Sequence, residues 1–298
     1  MIDQIVFTSP TSFPSGPTPS TIASAGLTLH ASTGYRTISR ADGLVGAPAP
    51  RDVTRIAPGR DGVIEDTKWL SERIIVLEGE LWGASQRAVL DDWGTLNAAF
   101  ESTMFAQGQL TITLPAASGG STQQRWCNVT LASPAQVSLE GGSAYLSYQV
   151  TFRASNPRWY GITQNTSALA IATTVTATSS TNTVTNAGTA PSLPRFTWTA
   201  GTGRVFDNIK VTVPTAYTTL SPQGSEIKLF SSSVVNALAA NDYFDCSTLT
   251  TSTSGILSAT TEWPVLYPGT SSWNWTQATS SGSSGSSTCT VSWYDAWW

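Results

Sequence analysis

Along the first half of the chain, large apolar side chains recur at every second position, the period of a strand with one buried face. From Ala144 to Arg153, Ala144, Leu146, Tyr148, Val150 and Phe152 share one face, while Ser147, Gln149, Thr151 and Arg153 share the other. Leu110, Ile112 and Leu114 alternate with Gln109, Thr111 and Thr113, and Cys127, Val129 and Leu131 alternate with Asn128 and Thr130. Glu72 to Trp82 includes Ile74-Ile75-Val76-Leu77, apolar on both faces, which predicts a strand in the middle of a sheet. One stretch changes period. Between Ser85 and Gln107 the large apolar residues Val89, Trp93, Leu96, Phe100 and Met104 fall at helical spacing, predicting one long amphipathic helix over 85–107. Asp91 and Asp92 lie toward its start, where the helix dipole favours negative charge, and Gly108 supplies a stop.

The second half reads as all β. Val205, Ile209, Val211 and Val213 share a strand period, as do Cys289, Val291 and Trp293, and Thr202-Gly203, Pro222-Gln223-Gly224 and Pro268-Gly269 punctuate the runs as turns. Thr279 to Thr288 contains only Gly, Ser and Thr and predicts a loop between the last two strands.

Charge then places a boundary. Eleven basic and 13 acidic residues precede Gly161, and only 4 and 6 follow. The shift falls just after Asn156-Pro157-Arg158-Trp159-Tyr160 and separates a domain at 1–160 from one at 161–298. Charged residues make up 11% of the 298 and hydrophobics 40%, a balance that fits a packed core rather than disorder. A net charge of −4 gives no footprint for nucleic acid or an anionic membrane surface. Met1-Ile2-Asp3-Gln4 lacks the basic, apolar start of a signal peptide, and no run approaches a membrane span, so the product is expected to stay soluble where it is made.

Catalytic chemistry finds little footing. The one histidine, His30, sits in the strand-like run Leu27-Thr28-Leu29-His30 with nothing local to complete a nucleophilic triad. Cys127, Cys246 and Cys289 are widely spaced and read as reduced, buried thiols, with a Cys246–Cys289 pair as the minor alternative. Cys and His are too few for a zinc site, and Asp61, Glu65 and Asp66 lack the ligand order of a calcium loop. Asp91 and Asp92, adjacent on a helix, point about 100° apart and read as solvated first-turn residues rather than a catalytic pair. No metal and no cofactor are expected. A glycoside hydrolase stays open only because two acids converging in space leave no sequence signal.

The order of short motifs is more informative. Arg51-Asp52-Val53-Thr54-Arg55-Ile56 leads into the turn Pro58-Gly59-Arg60-Asp61-Gly62, followed by the strand ending Leu81-Trp82-Gly83, the helix, and Phe152 to Tyr160. In the second half come Val184-Thr185-Asn186-Ala187-Gly188-Thr189-Ala190-Pro191 and Trp263-Pro264-Val265-Leu266-Tyr267-Pro268-Gly269. This order resembles the distal tail (Dit) proteins, minor tail proteins of long-tailed, non-contractile phages. The resemblance spans nearly the whole chain. The Pro/Ser/Gly-rich segment Ser9–Ser20 and the aromatic tail Trp293-Tyr294-Asp295-Ala296-Trp297-Trp298 depart from it.

The resemblance implies a mainly β protein: an N-terminal sandwich or barrel-like domain with one long helix, then a galectin-like antiparallel β-sandwich. It also implies a non-enzymatic virion component, assembled in the host cytoplasm, whose copies form a ring, commonly a hexamer. The ring joins the tail tube protein to the hub protein of the tail tip or baseplate, and receptor-binding proteins or host glycan are further partners. Open strand edges are a hazard unless covered, and a closed ring of heterologous contacts covers them. Most of the 12 tryptophans, among them Trp82, Trp93 and Trp126, read as core or sheet surface. Tyr294, Trp297 and Trp298 are candidate partner anchors, since interface hot spots are rich in such residues. Trp273 and Trp275 are candidates for stacking on sugar, which makes a carbohydrate-binding module the alternative function.

Overall fold

The structure is a computed structural model that describes residues 2–10, 26–31, 35–51, 54–56, 63–65, 69–116, 120–139, 141–171, 178–199, 205–212, 226–230, 242–245, 250–251, 265–281 and 287–298. Two compact units divide it, residues 1–162 together with Trp298, and residues 163–297.

In the first unit the alternating runs are strands. β1 (Gln4–Thr8), β2 (Leu27–Ala31) and β3 (Arg36–Asp42) precede four short strands, β4 (Pro50–Arg51), β5 (Thr54–Ile56), β6 (Val63–Glu65) and β7 (Trp69–Leu70). Then come β8 (Arg73–Trp82), helix α1 (Gln86–Ser102), β9 (Gly108–Leu114), β10 (Gln123–Leu139), β11 (Tyr145–Ala154) and β12 (Trp159–Ile171), which runs on into the second unit. Within this unit, among the described residues, the pairings are antiparallel. β3, β8, β11 and the second half of β10 form one layer, and the first half of β10 pairs with β9, β9 with β1, and β1 with β2. β10 thus serves both layers. The partner changes between Val129 and Thr130, and register shifts follow on either side of Ser133, next to Pro134, whose missing N–H suits an irregularity in a ladder.

Between the layers Phe7 of β1 stacks on Phe152 of β11, with centroids 5.4 Å apart and planes at 17°. Phe100 of α1 meets both rings edge-on, at 5.4 and 5.5 Å. Leu29, Ile75, Leu77, Leu81, Leu96 and Val150 complete the buried interior.

The helix is shorter than its stripe predicts. Ser85 caps its start, accepting a hydrogen bond from the Ala88 N–H. At the other end the Thr103 hydroxyl donates to the Phe100 carbonyl at 2.7 Å and accepts from the Leu131 N–H at 3.0 Å, which ties the turn to β10. The chain therefore leaves the helix before Met104, which is 58% exposed instead of closing the buried stripe. Gly108 opens β9 rather than stopping the helix; a Cβ there would meet Thr103 Cγ2 at 2.7 Å and the Thr8 carbonyl oxygen at 3.0 Å. No acidic residue lies in the first helical turn. Asp91 pairs with Arg87 one turn back, and Asp92 is clasped by the Arg36 guanidinium, which also donates to the Thr28 carbonyl. Neither aspartate lies in the first turn as expected; Asp91 is solvated, at 60% exposure, and Asp92 is partly covered. β8 is internal to its sheet, between β3 and β11, yet only one of its faces is buried. Ile75 and Leu77 are covered, and Ile74 is 43% exposed.

The second unit comprises β13 (Thr178–Asn186), β14 (Arg195–Thr199), β15 (Val205–Thr212), β16 (Glu226–Phe230), β17 (Asp242–Asp245), β18 (Thr250–Thr251), β19 (Gly269–Ser281) and β20 (Ser287–Trp297). Strands β18-β17-β14-β20 form one layer and β13-β19-β15-β16 the other. Phe196 of β14 stacks on Trp273 of β19 at 5.6 Å, joining the layers as a sandwich. The Gly, Ser and Thr run is only partly a connection. Thr279–Ser281 end β19 and Ser287–Thr288 begin β20, where Thr288 pairs with Thr199; residues 282–286 lie outside the described residues. β-branched Thr fits a strand, and its polarity alone does not make a loop.

Candidate interaction surface

The two motifs of the second half, distant in sequence, meet around one side chain. Asn186 is 1% exposed. Its amide donates to the carbonyls of Ala190 at 2.9 Å and Leu266 at 3.1 Å. Its Oδ1 accepts from the N–H groups of Gly188 at 3.0 Å and Ala296 at 3.3 Å. Both amide hydrogens and both oxygen lone pairs are thereby used, the full capacity of this side chain. Ser192 and Leu266 close a two-bond bridge beside it, at 2.8 and 2.9 Å. A Cβ on Gly188 would lie 1.8 Å from the Ala296 carbonyl oxygen, so only glycine lets β20 approach this closely. Gly269, the end of the second motif, has φ +98°, which also favours glycine.

Residues 293–296 belong to this clasp. β20 runs to Trp297, and Trp293, nearly buried, donates its indole N–H to the Thr185 carbonyl at 3.0 Å. The Tyr294 carbonyl accepts from the Ser192 hydroxyl, and Asp295 Oδ1 accepts from the Ala187 N–H at 3.0 Å. The Ala296 carbonyl accepts from the Ala190 N–H at 2.9 Å. Tyr294, Trp297 and Trp298 are each half-buried. Within the first unit, to which Trp298 belongs, the Arg158 guanidinium lies 5.6 Å from the Trp298 ring centroid.

Trp273 requires a correction. Its ring is fully buried against Phe196 and its indole N–H donates to Ser271 at 2.8 Å, so it offers no face to a sugar. Strand alternation turns it inward despite its polar neighbours. The Trp275 side chain lies outside the described residues, as do Pro58, Gly59, Arg60, Asp61 and Gly62. The strands flanking that motif, β5 and β6, pair antiparallel with Ile56 opposite Val63.

The remaining candidates have structural employment. His30 Nδ1 accepts from the Ile38 N–H at 3.2 Å and links β2 to β3. Burial pushes the Cys127 thiol pKa well above its ordinary value, which keeps it protonated. Cys246 lies outside the described residues, and so does the Cys289 side chain. Among the described residues no group of three or more His, Cys, Asp or Glu is placed to hold a metal, and no helix is long and apolar enough to cross a membrane.

One buried charge escaped the sequence reading. Arg73 is 3% exposed, and its guanidinium donates to the carbonyls of Pro157 and Gly43 at 2.7 Å and Gly46 at 2.8 Å. Burial lowers its pKa, and the carbonyls satisfy the charge. Parity held the signal: Arg73 is in phase with Ile75 and Leu77, which places it on the buried face.

No protein-family model matches the chain, and no curated protein is similar to it in sequence. Solved structures are similar over its length. The crystal structure of the SPP1 Dit protein aligns over 98% of this chain and 98% of its own at 14% identity, with a TM-score of 0.58. The phage P2 baseplate in its activated conformation with Ca aligns over 98% of both chains at 8% identity, with a TM-score of 0.41. The same baseplate with Sr aligns over 97% of both chains at 7% identity and a TM-score of 0.40. The chain therefore has, along its whole length, the fold of the SPP1 Dit protein.

Proposed function

We propose that the chain is a structural protein of a phage tail, a ring-forming adaptor between the tail tube and the tip hub of a long-tailed, non-contractile virion, with no catalytic role. The observation that carries this reading is the whole-length likeness of fold to the SPP1 Dit protein, described as a paradigm of the hub adsorption apparatus in Gram-positive infecting phages. The motif residues add support: Asn186, Gly188 and Leu266 stand in one clasp, and a structural role explains each of them. On this reading the first unit builds the ring, a hexamer, and Tyr294, Trp297 and Trp298 anchor a neighbouring tail-tip protein.

Negative-stain microscopy and light scattering of the full chain test the ring. Closed rings of uniform diameter are expected, and a strict monomer both alone and mixed with its tail tube protein would sink the reading. The anchors are best tested by Trp297→Ala and Trp298→Ala. Cutting the chain after Trp293 also removes Ala296 and Asp295 from the clasp. Unchanged affinity for the hub in both point variants would remove the anchors from the proposal.

A further inference from the structure

The outer face of the sheet formed by β3, β8, β11 and the second half of β10 carries a groove that the ring reading does not use. It encloses about 330 Å³ and is lined by Glu78, Glu80, Gln136, Ser138, Ser147 and Gln149, among others. The register puts them there. Glu80 pairs with Ser147 and Ser147 with Ser138; Glu78 pairs with Gln149 and Gln149 with Gln136. Two polar rows therefore cross three strands on one face, about 7 Å apart along the strands, with neighbours in a row about 5 Å apart.

Bonding within the chain leaves much of this set open. Glu78 Oε1 accepts from Arg40 and from Gln149, each at 3.4 Å. Among the described residues, the side chains of Glu80, Gln136, Ser138 and Ser147 have no hydrogen-bond partner within the chain. A carboxylate only accepts, whereas amides and hydroxyls both donate and accept. A complementary ligand must donate to Glu80 and exchange both kinds of bond with the Ser and Gln rows, as an alcohol does. Two carboxylates beside a single Arg40, itself shared with Asp42, disfavour an anion. Two residues beyond Glu80 on the same face stands Trp82, 49% exposed, its ring 4.6 Å from that of Tyr145. An aromatic face therefore borders the hydrogen-bonding rows.

A pyranose ring matches both surfaces, with hydroxyls at its edge and C–H groups on its face. We propose that this groove binds a neutral glycosyl unit of a polysaccharide, its hydroxyls on Glu80, Ser147 and Ser138 and its ring against Trp82. This site is separate from the sugar platform expected at Trp273 and Trp275, and it stands or falls independently of the ring.

The test titrates the full chain with glucose, galactose, N-acetylglucosamine and rhamnose, read by saturation-transfer NMR and by tryptophan fluorescence. At least one sugar is expected to bind. Glu80→Ala and Trp82→Ala should each weaken it about tenfold or more, and Ser147→Phe should block it by filling the groove. Glu72→Ala, on the same strand approach but outside the groove, should leave binding unchanged, with circular dichroism checking that all variants fold. Three outcomes overturn the proposal: no sugar of the set binds, binding survives all three groove variants, or calcium alone binds and Glu80→Ala abolishes only that. A change of oligomeric state in the groove variants, with sugar binding untouched, overturns it too and makes the face a contact between copies.

Discussion

The two units close their sandwiches by opposite chemistry. In the first, the layers are held by the rings of Phe7, Phe100 and Phe152 with a helix laid against them, and, the buried Arg73 apart, polar ties such as Arg36–Asp92 sit at the periphery. In the second, Phe196 on Trp273 supplies apolar contact, while the chain crossings are fixed by a buried amide that fills every bond it can make. An apolar contact tolerates small shifts of its neighbours, whereas a hydrogen-bonded hub specifies which backbone groups must meet. A unit with few charged residues gains its specificity from such a hub.

Substitutions can break that contrast, and the largest effect belongs to the rings. Phe100→Ala should cost about 4 kcal/mol, measured by urea unfolding, with hydrogen exchange rising first in β1, β9 and β11. Exchange rising equally in β13 and β20 would contradict a separate apolar closure. Asn186→Ala should cost about 3 kcal/mol, because it strands buried carbonyl and N–H groups, and its exchange signature should fall on β13, β20 and the segment around Leu266. Asn186→Asp sharpens the point. It keeps the acceptor and loses the donors, so it should be no milder than alanine if all four bonds count.

Gly188→Ala should cost about 2 kcal/mol by pushing β20 from its place, seen as exchange at Ala190 and Ala296 with the apolar interior intact. Asp92→Ala should cost about 1–2 kcal/mol, since it removes a forked, partly buried bond to Arg36, and should loosen β2 and β3 rather than the clasp. The smallest effect tests the interior of the first unit. The Tyr148 hydroxyl is buried with no hydrogen-bond partner, and burial pushes its pKa up. Tyr148→Phe should therefore be neutral or stabilising by up to about 1 kcal/mol; a clear loss of stability would mean that the hydroxyl has a partner in solution.

Much of this was legible in the chain. Alternation placed β9, β10 and β11 on the correct faces because one side of each strand is buried and the period of two is unmistakable. The stripe gave the helix, and its end was misjudged because Thr103 turns the chain through a bond to Leu131, 28 residues away, which no local pattern records. Asn186 was visible as part of a motif, yet its role depends on Leu266 and Ala296, 80 and 110 residues away. Trp273 was misread for a related cause: a place in or near a loop of the weakly charged half suggests exposure, while strand parity and Phe196 decide burial. Arg73 was hidden because its partners are backbone carbonyls, which every residue carries.

The Asn186–Ala296 bond also sets an order of events during synthesis. Residue 186 cannot be closed in until residue 296 has left the ribosome, 110 residues later. At about 5–20 residues per second that interval is roughly 5–20 s. Throughout it β13 and the Asn186 amide must wait with their partners unmade, while the strands and helix of the first unit are already available to fold. A chaperone that binds nascent chains should therefore find its site around β13 and β14, and crosslinking on stalled ribosomes should show that site vanish only when residue 296 emerges.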